Sequence, residues 1–267
     1  CEDKSAPTLE KIHSKYYLRF SFTETVILSD TPIAEQIICA VDLGINTDAV
    51  CSIMKADGTI LARKFIDFTS DKDRMIHAMN RTRRKQSKYG PKSTRGLWAY
   101  VKRLNEDRAK KISAAIVEFA SQHSVDAIVM EHLDFKGCKK RGSKAQRLSM
   151  WNHGIIREKV EQKAHLLGIR IATICAWKTS ALAFDGSGSV TRDDNNHALA
   201  TFTTGKQYNC DLSASYNIGA RYFIRELLKS LPATEESRVK AKVPDAGRRT
   251  SCTLSTLRAL VKELSAA

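Results

Sequence analysis

The sequence predicts an α/β fold: a mixed sheet built from a three-strand meander and two added parallel strands, flanked by helices and interrupted by a basic helical insertion. Three observations predict it. Ile37 to Val41 is an apolar run ending on a carboxylate, Asp42; Val50–Met54 and Ile60–Phe65 follow it across a bend at Gly44 and an Asp57-Gly58 turn. Two later apolar runs of strand length, Val125–Met130 and Ile169–Ile174, each follow a helical pattern, which favours parallel addition beside the first strand. Between meander and additions, Asp71 to Lys111 carries fourteen basic against four acidic residues, a net of +10 over 41 positions.

In chain order, residues 1–10 are polar and read as loose. Tyr16–Phe22 alternates with period two and reads as a strand without a nearby partner, so residues 1–36 are expected to be a linker or the remnant of a preceding nucleic-acid-binding domain. The meander occupies 37–66, with Asp42 on its first, central strand. An ionised carboxylate is costly to bury alone, so a cationic group is expected to meet Asp42. Gly90-Pro91 divides the basic stretch into two helices, roughly 72–88 and 97–123. Its densest part holds Arg81, Arg83, Arg84, Lys85 and Lys88, with no acid for several turns, a pattern that favours phosphate contact over a merely solvated face. The second helix continues into Ile112, Ala115, Ile116, Phe119 and Ala120 at helical spacing and is expected to dock on the sheet.

The strand at 125–131 ends on Glu131, near Asp42 if the two strands are neighbours. Residues 136–147 hold six basic side chains, Lys139, Lys140 and Arg141 among them, and no acid, which reads as a basic loop. A helix over 151–167 stops at Gly168 and leads into the fifth strand. Residues 175–209 read as irregular and too poor in apolar residues for a core element. Asp211 opens a helix running to about Ser230, where an acid is also a common helix cap. Residues 232–267 read as a polar linker with a marginal helix near Ser255–Leu264, a C-terminal tail.

The chain's 267 residues are enough for a substantial core, and its formal charge of +15 points to a polyanionic partner, nucleic acid foremost. No apolar run is long enough to span a bilayer, and no lipidation motif or secretory signal is present, which argues against a membrane partner. The seven cysteines are scattered and form no C-x-x-C pair, so they read as free thiols in a reducing compartment such as the cytoplasm. A start at Cys1 reads as that of a fragment or processed product.

Asp42, Glu131 and Asp211 thus fall on the first strand, the fourth strand and the start of the last long helix. That order suggests a ribonuclease H-like sheet on which three carboxylates converge to hold divalent metal. Mg²⁺ prefers carboxylate and water oxygens, and two such ions about 4 Å apart can activate water and stabilise a leaving oxygen. The segments Asp42-Leu43-Gly44 with Ala49, Val129-Met130-Glu131-His132-Leu133, and Asp211-Leu212-Ser213-Ala214-Ser215-Tyr216-Asn217-Ile218 resemble the split RuvC nuclease motifs of the TnpB and type V CRISPR effector superfamily. Trp151 with Lys163-Ala164-His165 and Gly168-Ile169 resembles that family's pattern between its second and third motifs, and Thr179-Ser180 stand where its zinc ribbon begins.

The resemblance covers roughly residues 37–230. It implies that Asp42, Glu131 and Asp211 are the catalytic, metal-binding triad, with Mg²⁺ or Mn²⁺ as cofactor and two-metal hydrolysis of DNA as the reaction. It implies guide RNA and target DNA as partners, and for Asn217 a helix-packing or supporting role. Two departures matter. The family's zinc-binding cysteine pairs fall here on Ala183 and Gly186 and on Thr201 and Thr204, so no structural zinc is expected and 180–209 is expected to be poorly braced. The recognition portion that the family places before its first motif would be missing from this chain, except for Tyr16–Phe22.

Other readings compete. The acids may be read as ordinary: Asp42 salt-bridged, Glu131 a strand-end charge, Asp211 a cap. A cleavage-deficient, RNA-guided DNA-binding or repressor protein would keep the fold without the reaction. A phosphotransferase of the actin and sugar-kinase class would need better phosphate loops than Gly186-Ser187-Gly188-Ser189. His132 and His153 as proton shuttles, and Trp98, Trp151 and Trp177 as base-stacking surfaces, rank below packing roles. Arg192, in the loop before the last motif, is a candidate contact for the scissile phosphate. Unpaired DNA enters such a narrow site more readily than duplex, so single-stranded DNA is the expected substrate.

Overall fold

A computed structural model describes residues 6–12, 14–21, 23–133, 151–193, 196 and 198–266. Thr8–Ile12 (β1) and Lys15–Arg19 (β2) form an antiparallel hairpin. The strand expected at Tyr16 therefore has a partner, inside the stretch read as loose. Glu10 and Lys11 obscure its alternation in the sequence, yet Glu10 reaches across the hairpin to Arg19 at 2.7 Å.

The central sheet begins with Ile37–Asp42 (β3), Ala49–Lys55 (β4) and Ile60–Ile66 (β5). The helices Thr69–Tyr89 (α1) and Arg95–Gln122 (α2) follow. Ala127–His132 (β6), His153–Leu166 (α3) and Arg170–Cys175 (β7) complete the sheet and its first helical layer. Strand order is β5-β4-β3-β6-β7, with the meander antiparallel, β6 parallel to β3, and β7 parallel to β6. This is the ribonuclease H-like mixed sheet expected from the sequence, with Asp42 at the end of its middle strand.

Three short strands then form a second sheet, Thr191–Arg192 (β8), Leu199–Thr201 (β9) and Gln207–Asn209 (β10). The chain closes with Cys210–Ser230 (α4), Ala233–Lys242 (α5) and Leu254–Ser265 (α6). Ile38, Ala40 and Val129 point to a layer formed by α4 and α6, while Cys39, Val41, Ile128 and Met130 point to α2 and α3. Both faces of β3 and β6 are covered, which is why these strands read as unbroken apolar runs rather than as alternations.

Helix α4 is buried nearly all round: sixteen of its 21 residues are inaccessible. A Cβ on Gly219 would sit 2.9 Å from the Met54 methyl and 3.2 Å from the Ala40 Cβ, so only glycine lets α4 lie this close to the sheet without a shift. Asn209 is its N-cap, accepting from the Leu212 N–H at 2.8 Å. The capping role read for Asp211 thus belongs to Asn209, and Asp211 stands one residue inside the helix.

Two sequence readings need correction. The region 180–209 carries its own small core of Ala183, Ala200, Phe202 and Cys210, closed by Phe184 and Tyr208. Phe184 meets Phe202, Tyr208 and Tyr216 edge-on at 4.9–5.6 Å, a geometry aromatic rings favour. An aromatic knot, seated on α4 through Tyr216, braces a lobe that was expected to be loose. Residues 232–267 are not a polar tail either. Leu254, Leu257 and Leu260 are fully buried in the α4 cluster, and Thr253 with Thr256 forms a capping box that starts α6. Their three-residue spacing forms one apolar face that a simple charge count conceals.

Candidate active site

Strands β3 and β6 run parallel with Val41 opposite Met130, so the next residues, Asp42 and Glu131, stand side by side at the same end of the sheet. Helix α4 lies along the same strands and brings Asp211, in its first turn, to that end. Among the described residues the cationic group felt at Asp42 is Arg192, and it is outweighed. Burial pushes the Asp42 carboxyl well above the usual carboxylate range, and the negative charges of Glu131 and Asp211 push it further, against the opposing field of Arg192. Burial also raises Glu131, with the Thr179 hydroxyl and the Arg221 charge pulling back. Burial raises Asp211 too, opposed by Arg192 and by a hydrogen bond from the Thr47 side chain.

The turn after β3 explains the Asp-Leu-Gly order. A Cβ at position 44 would lie 2.4 Å from the Thr47 carbonyl oxygen, so glycine is needed for the chain to fold back and deliver Thr47 to Asp211. Lys72 of α1 donates to the Asn46 carbonyl in the same turn.

The three carboxylates occupy one electrostatic neighbourhood. Among the described residues, however, no group of three or more His, Cys, Asp or Glu side chains closes into an arrangement that could hold a metal ion as it stands. Around the triad lie groups that charge patterns do not reveal. The buried Thr179 donates its hydroxyl to Glu131. Asn217, wholly buried on α4, donates to the Thr179 carbonyl at 3.0 Å, which gives the supporting role read for it a concrete form. Arg221, also buried, donates to four backbone carbonyls and contributes positive charge at Glu131. Nothing in the local sequence marks Arg221; its burial follows from the surrounding residues of α4 being buried on every side.

Arg192, on β8, is exposed and donates to the Ser180 hydroxyl at 2.9 Å, with its charge felt at both Asp42 and Asp211. Arg81, Arg83, Arg84, Lys85 and Lys88 are all exposed on α1. Four of them, Arg81, Arg84, Lys85 and Lys88, line one shallow groove with Asn80 and Tyr89. Not every cation of the basic stretch is available: Arg108 is buried against Asp48, and Lys111 pairs with Asp71 at 2.7 Å and Asp107 at 3.2 Å. Lys139, Lys140 and Arg141 lie outside the described residues. Trp98 donates to Gln86 at 2.7 Å between α1 and α2, a packing role, whereas Trp177 is exposed. Trp151 stacks on His153 at 5.3 Å between ring centres, and His132 is exposed at the end of β6.

With this geometry in view, the chain can be set beside known proteins. No protein-family model and no curated protein matches it. Solved structures do. Cas12f1, in a complex with sgRNA and target DNA, superposes with a TM-score of 0.52 at 18% identity, over 79% of this chain and 54% of that one. AacC2c1, in a binary complex with sgRNA, superposes with a TM-score of 0.52 at 10% identity, over 71% of this chain and 39% of that one. The chain has the fold found in both. At these identities the likeness is one of fold. This chain therefore spans roughly half or less of the length of each of these effectors.

Proposed function

We propose that this chain is the RuvC-like endonuclease portion of an RNA-guided, DNA-targeting effector, and that Asp42, Glu131 and Asp211 hold the divalent ions on which cleavage depends. The observation that carries the proposal is the delivery of three carboxylates, from β3, β6 and α4, to one end of the sheet, where the charges of Glu131 and Asp211 oppose ionisation of Asp42. Acids placed so that ionising one of them becomes costlier are poorly explained as surface charges or caps.

The donor set suits Mg²⁺ or Mn²⁺: it is all oxygen and negative, and a bound cation would relieve the repulsion. Such ions, when bound, supply Lewis-acid stabilisation of charge on a phosphodiester. The chain's own residues do the rest. Thr47 and Thr179 orient Asp211 and Glu131. Arg192, exposed on β8 with its charge felt at Asp42 and Asp211, is the proposed contact for the scissile phosphate. The α1 face of Arg81, Arg84, Lys85 and Lys88 grips a phosphate backbone, joined by Arg83 and by Lys139, Lys140 and Arg141 of the basic 136–147 sequence. Guide RNA and target DNA are the proposed partners, single-stranded DNA the proposed substrate, and the prokaryotic cytoplasm the proposed setting. No described helix is long and apolar enough to cross a membrane.

Mn²⁺ titration followed by electron paramagnetic resonance tests the assignment. The wild-type chain should bind Mn²⁺, and Asp42→Ala and Asp211→Ala should each abolish that binding while leaving the fold intact. Equal binding by wild type and both variants would remove the triad from the proposal.

A further inference from the structure

Thr179, Asn217 and Arg221 are buried polar residues, at 3%, 0% and 5% exposure, in places where apolar side chains would avoid the cost of desolvation. Their hydrogen bonds form a chain. Thr179 donates to Glu131 from a segment with no regular secondary structure, so its position depends on what holds that segment. Asn217 holds one end, donating to the carbonyls of Thr179 at 3.0 Å and Leu182 at 2.9 Å. Arg221, one helical turn further along α4, holds the other, donating to the carbonyls of Cys175 at 2.9 Å and Trp177 at 2.8 Å.

The same two side chains reach the C-terminal segment. Arg221 donates to Cys252 at 3.2 Å and Thr250 at 3.0 Å, and the Leu254 N–H at the start of α6 donates to the Asn217 side-chain oxygen at 3.3 Å. One buried bracket therefore spans the 175–182 segment, α4 and the entry to α6, and its free end is the hydroxyl on Glu131.

We propose that Thr179 is a positioning residue that sets the orientation of Glu131, and that Asn217 and Arg221 hold it there and so couple the site to the C-terminal segment. This inference rests on the metal-dependent nuclease reading given above. A bracket that merely stabilised the fold would act on unfolding alone. One that aims a metal-binding carboxylate acts on metal affinity and turnover, and losing such an orienting partner typically costs about 10–100-fold in either.

The test uses the full chain with the proposed guide RNA, Mn²⁺ affinity measured by paramagnetic resonance, and steady-state cleavage of single-stranded DNA. Thr179→Val keeps the volume and removes the hydroxyl; Thr179→Ser keeps the hydroxyl. Thr179→Val should lower Mn²⁺ affinity and kcat by about tenfold or more, with KM for DNA within about twofold, and Thr179→Ser should recover most of both. Asn217→Asp, which keeps the acceptor for Leu254 and loses both donors, should shift affinity and kcat in the same direction and speed amide exchange over 176–182. If wild type binds and cleaves while Thr179→Val matches it in both, the positioning role is overturned and the nuclease reading stands. If wild type does neither, both fall together.

Discussion

Arg108 of α2 ends in the carboxylate of Asp48, which is fully inaccessible to solvent, and the second oxygen of that carboxylate accepts the Phe68 N–H at 2.9 Å. One buried acid thereby ties the start of β4 to α2 and to the entry of α1, fixing the basic helical pair beside the site. Removing one partner of a buried pair strands the other charge, at a typical cost of about 3–5 kcal/mol. Arg108→Met should lose that much in urea unfolding, and Arg108→Met combined with Asp48→Asn should lose less than the sum of the two single changes. A loss under about 1 kcal/mol in Arg108→Met would show that the pair does not hold the helices.

Acid should weaken the junction between the N-terminal segment and β6. Burial alone would raise the Asp126 carboxyl, but hydrogen bonds from Ser29, Thr31 and the Ile37 N–H, with the charge of Arg170, hold it below the usual carboxylate range. A lowered folded-state pKa favours folding fully above the unfolded value of about 3.9 and loses that contribution as the pH falls through the lower folded value. Asp126→Asn should be less stable than wild type at pH 6, and the gap should close on acidification. A gap that widened below pH 4 would contradict the assignment.

The aromatic lobe predicts a local defect. Phe202 is 2% exposed and packs on Phe184, and a buried Phe→Ala change typically costs about 3–5 kcal/mol. Because the lobe's core is separate from those of the sheet, Phe202→Ala should speed hydrogen exchange across 183–209 while leaving β3 and β6 protected. It should also slow cleavage, since β8 carries Arg192. Protection lost equally everywhere would mean that the lobe and sheet unfold as one unit.

Arg192 and the α1 face should separate kinetically. Arg192→Gln should reduce kcat by about 10²-fold, the usual cost of removing a donor from developing charge, with little change in DNA affinity. Arg84→Ala and Lys85→Ala should weaken DNA binding across all sequences and lower the salt dependence by about one unit each, with kcat nearly unchanged. The opposite pattern would exchange the two roles.

The five-strand sheet could be read from the chain because β3, β4 and β6 are buried on both sides and form apolar runs that no helix of that length would need. Asp42 and Glu131 stand out in the sequence for the same reason, as the polar ends of two of those runs. The lobe at 180–209 was not, because its core is four residues closed by Phe184, Tyr208 and Tyr216, scattered over the 34 positions from Ala183 to Tyr216. Helix α6 was undervalued because the charges of 232–267 as a whole mask three leucines that share one face. Arg221 lay beyond sequence reasoning altogether: a buried guanidinium bound to carbonyls has no local signature, and only the fold brings Cys175, Trp177, Thr250 and Cys252 around it.

The most direct measurement is cleavage of end-labelled single-stranded DNA, with Mg²⁺ or Mn²⁺ and with EDTA, by the chain together with the proposed guide RNA. Wild type is run beside Asp42→Ala, Glu131→Ala and Asp211→Ala. Metal-dependent cutting by wild type that each substitution abolishes, with DNA still bound, is the predicted result. DNA bound equally by all four proteins and cut by none would contradict it, and would describe a guided binding protein built on a nuclease fold.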